Sequence, residues 1–492
     1  MAKDFRYFLA QLTEVVPEDT VRVTREVDPC LEAAALIHNL EAKGRYPLVL
    51  FDNVKNMHGK RSSFPLCMNM AGSRQRMAVA IGLPPDQWRM ELTLKMQQLL
   101  TQNRNIGTAT VARGEAPVKE VRKVRGDVDL FEFPIPKYYE HDGGYYITGM
   151  PVITRIPSNG HYNISINRFH VKDPATIMYG VTPGTHSRLV YNEYQRLNRP
   201  CPVVIVSGHH LATYMATQWA GPYGEDEYAD ITALLQEPLR LVPSETWGED
   251  FLVPADAEII IEAEALPGEW GEEGPFVEHF GYYKGFKGVW PDGPYGYPMP
   301  RNYPVLHVKA ITHRRDAWFV PHAAWGNSCV NLLTGKAAAL YERVRLVAPL
   351  VKAIYCPVSG GGSYWTFVSL KHRQKGDARA AILTIMAMER GHNKYVVAVD
   401  DDVDVFDEQE VWWAVASRTT AEDFIIIPAL PGGGCDPEAL GASHLEEVST
   451  RLGIDATRPF KQPFSLHATV SEELKKKMDP ATYIERVSRR SS

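Results

Sequence analysis

The chain has 492 residues, 45% of them hydrophobic and 23% charged, with a formal net charge of −6. That length exceeds what one compact core accommodates, so two or three domains are expected. The absence of a basic excess argues against nucleic acid or an anionic membrane as the main partner. The start, Met1-Ala2-Lys3-Asp4-Phe5-Arg6, shows no apolar signal region. The longest apolar runs, 395–399 and 424–430, are far too short to span a bilayer. The six cysteines have no CxxC spacing. That fits reduced thiols and a cytoplasmic location better than a disulfide framework or a zinc site.

The opening segment alternates helix and strand patterns. Helices are expected at 4–13, 31–41, 75–81 and 86–101, and strands at 21–27 and 46–51. The stretch 118–133 holds two strand-like pieces, and 134–146 is rich in Pro and Tyr. From there to about residue 313 strands dominate. They are expected at 147–156, 161–170, 177–181, 202–206, 239–242, 257–265 and 304–312, with helices at 189–196 and 229–235 between them. This is a β-rich middle domain, readable as a barrel. The last third alternates again. Helices are expected at 337–348, 377–390 and 408–417, and strands at 351–355, 366–370, 395–399 and 423–427. That rhythm implies a second α/β domain with some parallel pairing. The charged tail 472–489 reads as a helix able to pack on a partner subunit.

Several segments carry candidate chemistry. Glu273-Gly274-Pro275-Phe276-Val277-Glu278 holds two carboxylates five residues apart around a Gly-Pro turn. A rigid turn that keeps two acids close can push their pKa values apart, which suits general acid/base work. Taken alone, an ExxxxE pair is more often a solvated loop. His161-Tyr162-Asn163-Ile164-Ser165-Ile166-Asn167-Arg168 alternates as a strand. Asn163 and Ser165 share a face, and Arg168 has the opposite parity unless a bulge re-aims it. An amide, a hydroxyl and a forked cation suit a phosphate-plus-metal site. A polar barrel strand with Arg168 at its rim is the simpler reading of that segment alone.

His186 sits at a strand-to-helix junction, and Gly224-Glu225-Asp226-Glu227 is an acidic turn before a helix. Either has a plain structural reading as a cap. Asp400-Asp401-Asp402-Val403-Asp404 looks metal-like, but an EF-hand register from Asp400 puts Val405 at the Gly position and Val411 at the Glu position. That reading fails, and a solvated or helix-capping loop is expected. The glycine runs 360–362 and 432–434 fit neither GxGxxG nor GxxxxGK[ST].

Taken in order, these segments resemble the UbiD family of prenylated-flavin-dependent decarboxylases. The resemblance runs over nearly the whole chain. It rests on NISINR at 163–168, the element ending at His186, Met215-Ala216-Thr217-Gln218, the turn carrying Glu227, and VPADAEI at 253–259 before EGPFVE. Lys394 with the acidic run after it and GIDAT at 453–457 complete the set. The resemblance implies a mixed α/β (α+β) fold. An N-terminal α/β domain would cover 1–116 and a split β-barrel flavin-binding domain 117–315. A C-terminal α/β oligomerisation domain would cover 316–470, and a helical tail 471–492.

It also implies residue roles. Asn163, His186 and Glu227 match the ligands of a divalent metal, Mn²⁺ or Mg²⁺, that bridges protein and cofactor phosphate, with K⁺ as a further candidate ion. Ser165, Ile166, Asn167, Arg168, Thr185, Thr217, Gln218 and Lys394 match contacts to prenylated FMN, with Lys371 an alternative to Lys394. Arg168, Glu273 and Glu278 match the catalytic Glu–Arg–Glu network. The implied reaction is reversible, non-oxidative decarboxylation through a covalent substrate–cofactor adduct, CO₂ loss and protonation by Glu278. Side chains offer no comparable electron sink, so a cofactor is required. Asn167, Thr185, His279 and the segment 424–436 point toward an aromatic or heteroaromatic acid. Implied partners are a flavin prenyltransferase as cofactor supplier and copies of the chain itself, as a homodimer or homohexamer. Two other functions compete: an FMN-binding oxidoreductase on a split barrel, and a non-catalytic cofactor-binding or assembly protein.

Overall fold

A computed structural model describes residues 2–182, 184–277, 283–284, 301–323, 326, 331–362, 364–388, 393–431, 448–465, 468 and 470–483. Its middle is a closed barrel of six strands: β1 (Tyr146–Arg155), β2 (Tyr162–Asp173), β3 (Thr176–Gly180), β4 (Cys201–Ser207), β5 (Ile259–Glu273) and β6 (Arg301–His313). The order around the wall is β5-β4-β1-β2-β3-β6, and β6 closes back on β5. Every pairing is antiparallel.

The sequence explains the wall. Val203, Ile205, Ile259, Ile261 and Ala263 gather in one core cluster. Their neighbours Val204, Val206 and Ile260 belong to another. Alternate residues therefore point to opposite faces, and both faces are buried. The second cluster includes Phe8 and Leu12 of the helix Phe5–Val15 and Leu99 of the helix Met90–Gln102. The N-terminal helices thus share a core with one face of the barrel wall. In the same region Thr20–Val23 pairs in parallel with Leu48–Phe51, with the helix Glu32–Glu41 between them in sequence.

The C-terminal sheet has five strands in the order Val351–Tyr355, Trp365–Leu370, Tyr395–Asp400, Val448–Ala456, Phe424–Pro431. Its central pairings are parallel and its edge pairings antiparallel. Val368, Val396 and Ala398 pack under the helices Ala337–Val347 and Asp377–Met388. Phe367, Val397 and Val399 pack under the helix Glu408–Arg418. The expected mixed α/β architecture with a central barrel is what forms.

Some local expectations differ. Of the two strand-like pieces at 118–133, Val121–Val124 is a strand, and 125–132 folds into short 3₁₀ turns. The Asp129 side chain caps the second turn by accepting from the Phe131 N–H at 2.8 Å, the local bond that draws Asp out of strands. The strand Gly248–Pro254, paired with Leu239–Ser244, was not expected. The described part of the tail is two short helices, Glu472–Lys477 and Pro480–Tyr483, rather than one. Pro480 cannot donate to a continuing helix. Among the described residues no helix is long and apolar enough to cross a membrane, and Cys30, Cys67 and Cys201 are free thiols.

Candidate active site

Arg168 on β2 and Glu273 at the end of β5 form a two-pronged ion pair. Arg168 Nε donates to Glu273 Oε1 at 2.8 Å, and a terminal guanidinium nitrogen donates to Oε2 at 3.2 Å. Both side chains are largely buried, at 10% and 2% exposure. Bidentate geometry fixes the guanidinium plane as well as its position. The Phe276 and Tyr303 rings lie 5.3 and 5.4 Å from Arg168 Cζ, and the Tyr303 hydroxyl accepts from Arg168 at 3.4 Å. Gly180 faces Arg168 across the β2–β3 pairing. A Cβ there would lie 2.5 Å from Arg168 Cγ, so only glycine leaves room for that side chain.

The register between β1 and β2 slips beside this pair. Thr148 faces Arg168 but Pro151 faces Ile166, so two β1 residues oppose Asn167. That is a bulge on the partner strand. Burial along β2 changes at the same place. Residues 162–164 and 169–171 are buried, whereas Ser165, Ile166, Asn167 and Arg168 are all half-buried. Within that open stretch Ser165 Oγ donates to Asn167 Oδ1 at 2.7 Å.

After Glu273 the chain turns through Gly274, at φ +105°, and a cis Gly274–Pro275 peptide. Phe276–Val277 then pairs with Tyr283–Lys284. Glu278 and His279 lie outside the described residues, so the expected network is described for Arg168 and Glu273. A buried group packs against the turn. Gly143 N–H donates to Pro275 O at 2.7 Å, and the Tyr146 hydroxyl donates to the same oxygen at 3.4 Å. Val277 N–H donates to Asp142 Oδ1 at 3.4 Å, and Gly274 N–H to His170 Nδ1 at 3.5 Å. The Tyr146 ring lies between His170 and Phe276, 4.5 and 4.1 Å away. Burial pushes the Asp142 carboxyl up to about 7, against the pull of the Val277, Tyr138 and Tyr139 N–H groups. Burial holds His170 down at about 3. Tyr146 is raised, first by burial and then by the charge of Glu273. The sequence offers only a loop signal here, the pair Gly143-Gly144.

A second centre joins Asn163, His186 and Glu227. His186 opens the helix His186–Arg196, and Glu227 is the N-cap of Tyr228–Leu235. Glu227 Oε2 accepts from Asn163 Nδ2 at 2.7 Å and from Ile164 N–H at 2.6 Å. Glu227 Oε1 lies 3.2 Å from His186 Nδ1. The Thr154 and Ser187 hydroxyls donate to Asn163 Oδ1, each at 3.4 Å. The structure thus brings the three expected ligands together. His186 and Glu227 both sit at helix N-termini, where the helix dipole favours an anion. No group of three His, Cys, Asp or Glu placed to hold a metal ion occurs among the described residues; this centre has one imidazole, one carboxylate and one amide.

Thr185, Thr217 and Gln218 hold local positions. Thr185 Oγ1 accepts from Arg188 N–H at 3.3 Å and donates to Thr182 O at 2.8 Å, capping the helix. Thr217 Oγ1 donates to Tyr214 O at 2.7 Å and accepts from Gln218 Nε2 at 2.8 Å. A Cβ on Gly335 would lie 3.5 Å from Gln218 Cβ. The next residue, Lys336, is buried and donates to Asn393 Oδ1 at 3.2 Å. Asn393 precedes Lys394, which is 8% exposed. Contacts therefore lead from Gln218 to the Lys394 end of the C-terminal sheet. Trp365 pairs with Tyr395 and Leu370 with Asp400, so Lys371 lies at the other end, about 20 Å away at 3.3 Å per residue. Lys336 was not singled out from sequence, where it has no distinguishing motif.

The acidic run is a salt-bridge hub. Arg418 donates to Asp400 and Asp402 at 2.8 and 2.9 Å, Arg458 N–H donates to Asp400 at 2.7 Å, and Asp404 pairs with Arg89 at 2.7 Å. Of the segment 424–436, the part up to Pro431 is the edge strand of the C-terminal sheet; residues 432–436 lie outside the described residues.

Comparison with known proteins identifies the family. The family models of the 3-octaprenyl-4-hydroxybenzoate carboxy-lyase N-terminal, Rift-related and C-terminal domains match residues 17–93, 109–327 and 332–456. A phenolic acid decarboxylase of Bacillus subtilis is 28% identical over 502 residues, 97% of this chain and 98% of its own. An anhydromevalonate phosphate decarboxylase of Methanothermobacter thermautotrophicus is 28% identical over 450 residues, 90% and 95% of the two chains. The UbiD-class enzyme HmfF from Pelotomaculum thermopropionicum, in complex with FMN, superposes with TM-score 0.84 at 32% identity, covering 98% of this chain and 100% of that one. An evolved dimeric form of HmfF with prFMN gives TM-score 0.82 at 31% identity, with the same coverage. With all three family domains present in order, the chain belongs to the UbiD family, whose members are prenylated-flavin-dependent carboxy-lyases.

Proposed function

We propose that this chain reversibly decarboxylates an aromatic or heteroaromatic carboxylic acid with prenylated FMN. The observation that carries the reading is the bidentate Arg168–Glu273 pair beside the half-open stretch 165–168. The cofactor would lie along that stretch, with its phosphate toward Asn163, His186, Glu227 and Lys394. Thr217 and Gln218 would flank it. When bound, it supplies the electron sink that side chains lack.

The chain's own residues do the rest. Glu273 fixes the guanidinium plane of Arg168. Arg168 then orients the substrate carboxylate and holds Glu278 toward the reacting carbon. Glu278 delivers the proton that replaces CO₂. Phe276 and Tyr303 wall the guanidinium from water, which strengthens its pairing.

Asn163, His186 and Glu227 fit a hard divalent cation, Mn²⁺ or Mg²⁺, better than a structural zinc ion. Turning the Asn163 amide would replace its Nδ2 contact to Glu227 with an oxygen ligand. Self-association suits the C-terminal edge strand, where Phe424 and Ile426 are 39% and 67% exposed.

The test is protein co-produced with a flavin prenyltransferase, read by its absorption spectrum and by CO₂ release from a panel of aromatic and heteroaromatic acids. Release that needs the prenylated cofactor is expected. Turnover with ordinary FMN alone would favour an oxidoreductase. Bound cofactor without release across the panel would favour a non-catalytic carrier.

A further inference from the structure

We infer that Asp142 is a positioning residue for the reaction. Together with Gly143 it clasps the turn 274–277 and so sets the direction in which the chain leaves Val277 for Glu278. The inference rests on the proposed role of Glu278 as proton donor.

The clasp is built from both sides of the turn. Gly143 N–H donates to Pro275 O at 2.7 Å. A Cβ on Gly143 would lie 2.2 Å from Gly274 O, so a side chain at 143 would push the two segments apart. Asp142 Oδ1 takes the N–H of Val277, the residue just before Glu278, at 3.4 Å. Its Oδ2 takes Tyr138 N–H and Tyr139 N–H at 3.2 and 3.0 Å. One carboxylate thus ties the turn to its own loop through three backbone donors. It is 4% exposed, and a buried carboxylate costs stability that a solvated one does not. Lys137 weakly favours its charged form, and among the described residues Tyr138 and Tyr146 also feel its charge. A buried acid with no cationic partner at hydrogen-bond distance among the described residues, held by backbone donors beside a catalytic turn, points to positioning rather than to core stability.

Positioning errors of about 1 Å cost about 100-fold in rate. Asp142→Ala removes the acceptor and Gly143→Ala forces the segments apart. Asp142→Asn keeps one acceptor oxygen at the same volume and guards against a folding failure of the others. Amide exchange of the peptide covering 274–284 is read in cofactor-free protein, and kcat, KM and cofactor content in loaded protein. Asp142→Ala and Gly143→Ala should exchange at least tenfold faster and lose at least tenfold in kcat. KM should change less than threefold and cofactor content should stay the same. Asp142→Asn should fall between them and wild type. Wild-type exchange or wild-type kcat in Asp142→Ala overturns the inference, as does a loss confined to KM or cofactor content. Wild-type turnover in Glu278→Gln would instead sink the proton-donor assignment, while exchange still decides whether the clasp exists.

Discussion

Arg168 and Glu273 stand 105 residues apart in sequence, on different barrel strands, yet meet through two hydrogen bonds of 2.8 and 3.2 Å. The antiparallel pairings β2–β3, β3–β6 and β6–β5 bring them together. Breaking a buried pair by removing one partner leaves an uncompensated charge and costs about 3–5 kcal/mol. Glu273→Ala should therefore destabilise by roughly that amount. The milder Glu273→Gln should keep the fold, as read by urea unfolding, and lose about 100-fold in kcat as the guanidinium loses its fixed plane.

Gly180 tests the same pair from the other side. A methyl group there would meet Arg168 Cγ at 2.5 Å and Arg168 O at 3.0 Å. Overpacking of this kind costs about 1–3 kcal/mol. Gly180→Ala should lower kcat at least tenfold while metal content, measured by elemental analysis, stays at the wild-type level.

The second centre should respond separately. Ser187 Oγ lies 3.4 Å from Asn163 Oδ1 and would accept from the amide nitrogen once the amide turns its oxygen to the metal, so it orients an expected ligand. Removing such an outer partner weakens metal binding by about 10- to 100-fold. Ser187→Ala should show a loss in that range by Mn²⁺ titration, and Glu227→Gln a larger one. The Glu273 and Gly180 variants should bind Mn²⁺ as wild type does.

Stability should depend on pH through Asp142. Its carboxyl titrates at about 7 in the fold, above its ordinary value near 3.9. Between those values the folded chain holds a proton that the unfolded chain releases. Its contribution to stability is therefore greatest at low pH, falls as pH rises toward 7 and is flat above it, at about 1.4 kcal/mol per pH unit at most. Asp142→Asn removes that slope. Relative to wild type, it should gain stability between pH 5 and pH 8 in urea melts. An unchanged difference would show that Asp142 titrates as an ordinary carboxylate.

Much of the barrel was legible because VVIV at 203–206 and III at 259–261 are short apolar runs bounded by polar or turn residues. The strand Gly248–Pro254 was not. Its first three residues are exposed Gly-Glu-Asp, and its order comes from the hairpin with Leu239–Ser244. The helix Leu211–Ala216 is six residues long, too short to show a period. In the site, motif order pointed to Arg168, Glu273, Asn163, His186 and Glu227. The supporting contacts of Asp142, Tyr146, His170 and Lys336 depend on segments more than 50 residues apart. Local patterns carry no trace of such pairings. The acidic run at 400–404, expected to be a solvated or helix-capping loop, instead has its charges answered by Arg418, Arg458 and Arg89, none of them within ten residues in sequence.

Hydrogen–deuterium exchange at the product carbon, with wild type and Glu278→Gln compared at equal cofactor content, tests the central claim most directly. Exchange needs the loaded cofactor and the proton donor but not net CO₂ loss. Cofactor-dependent exchange in wild type and its loss, by at least 1,000-fold or about 4 kcal/mol of barrier, in Glu278→Gln are predicted. Exchange at the wild-type rate in Glu278→Gln, or exchange without the prenylated cofactor, would contradict the account.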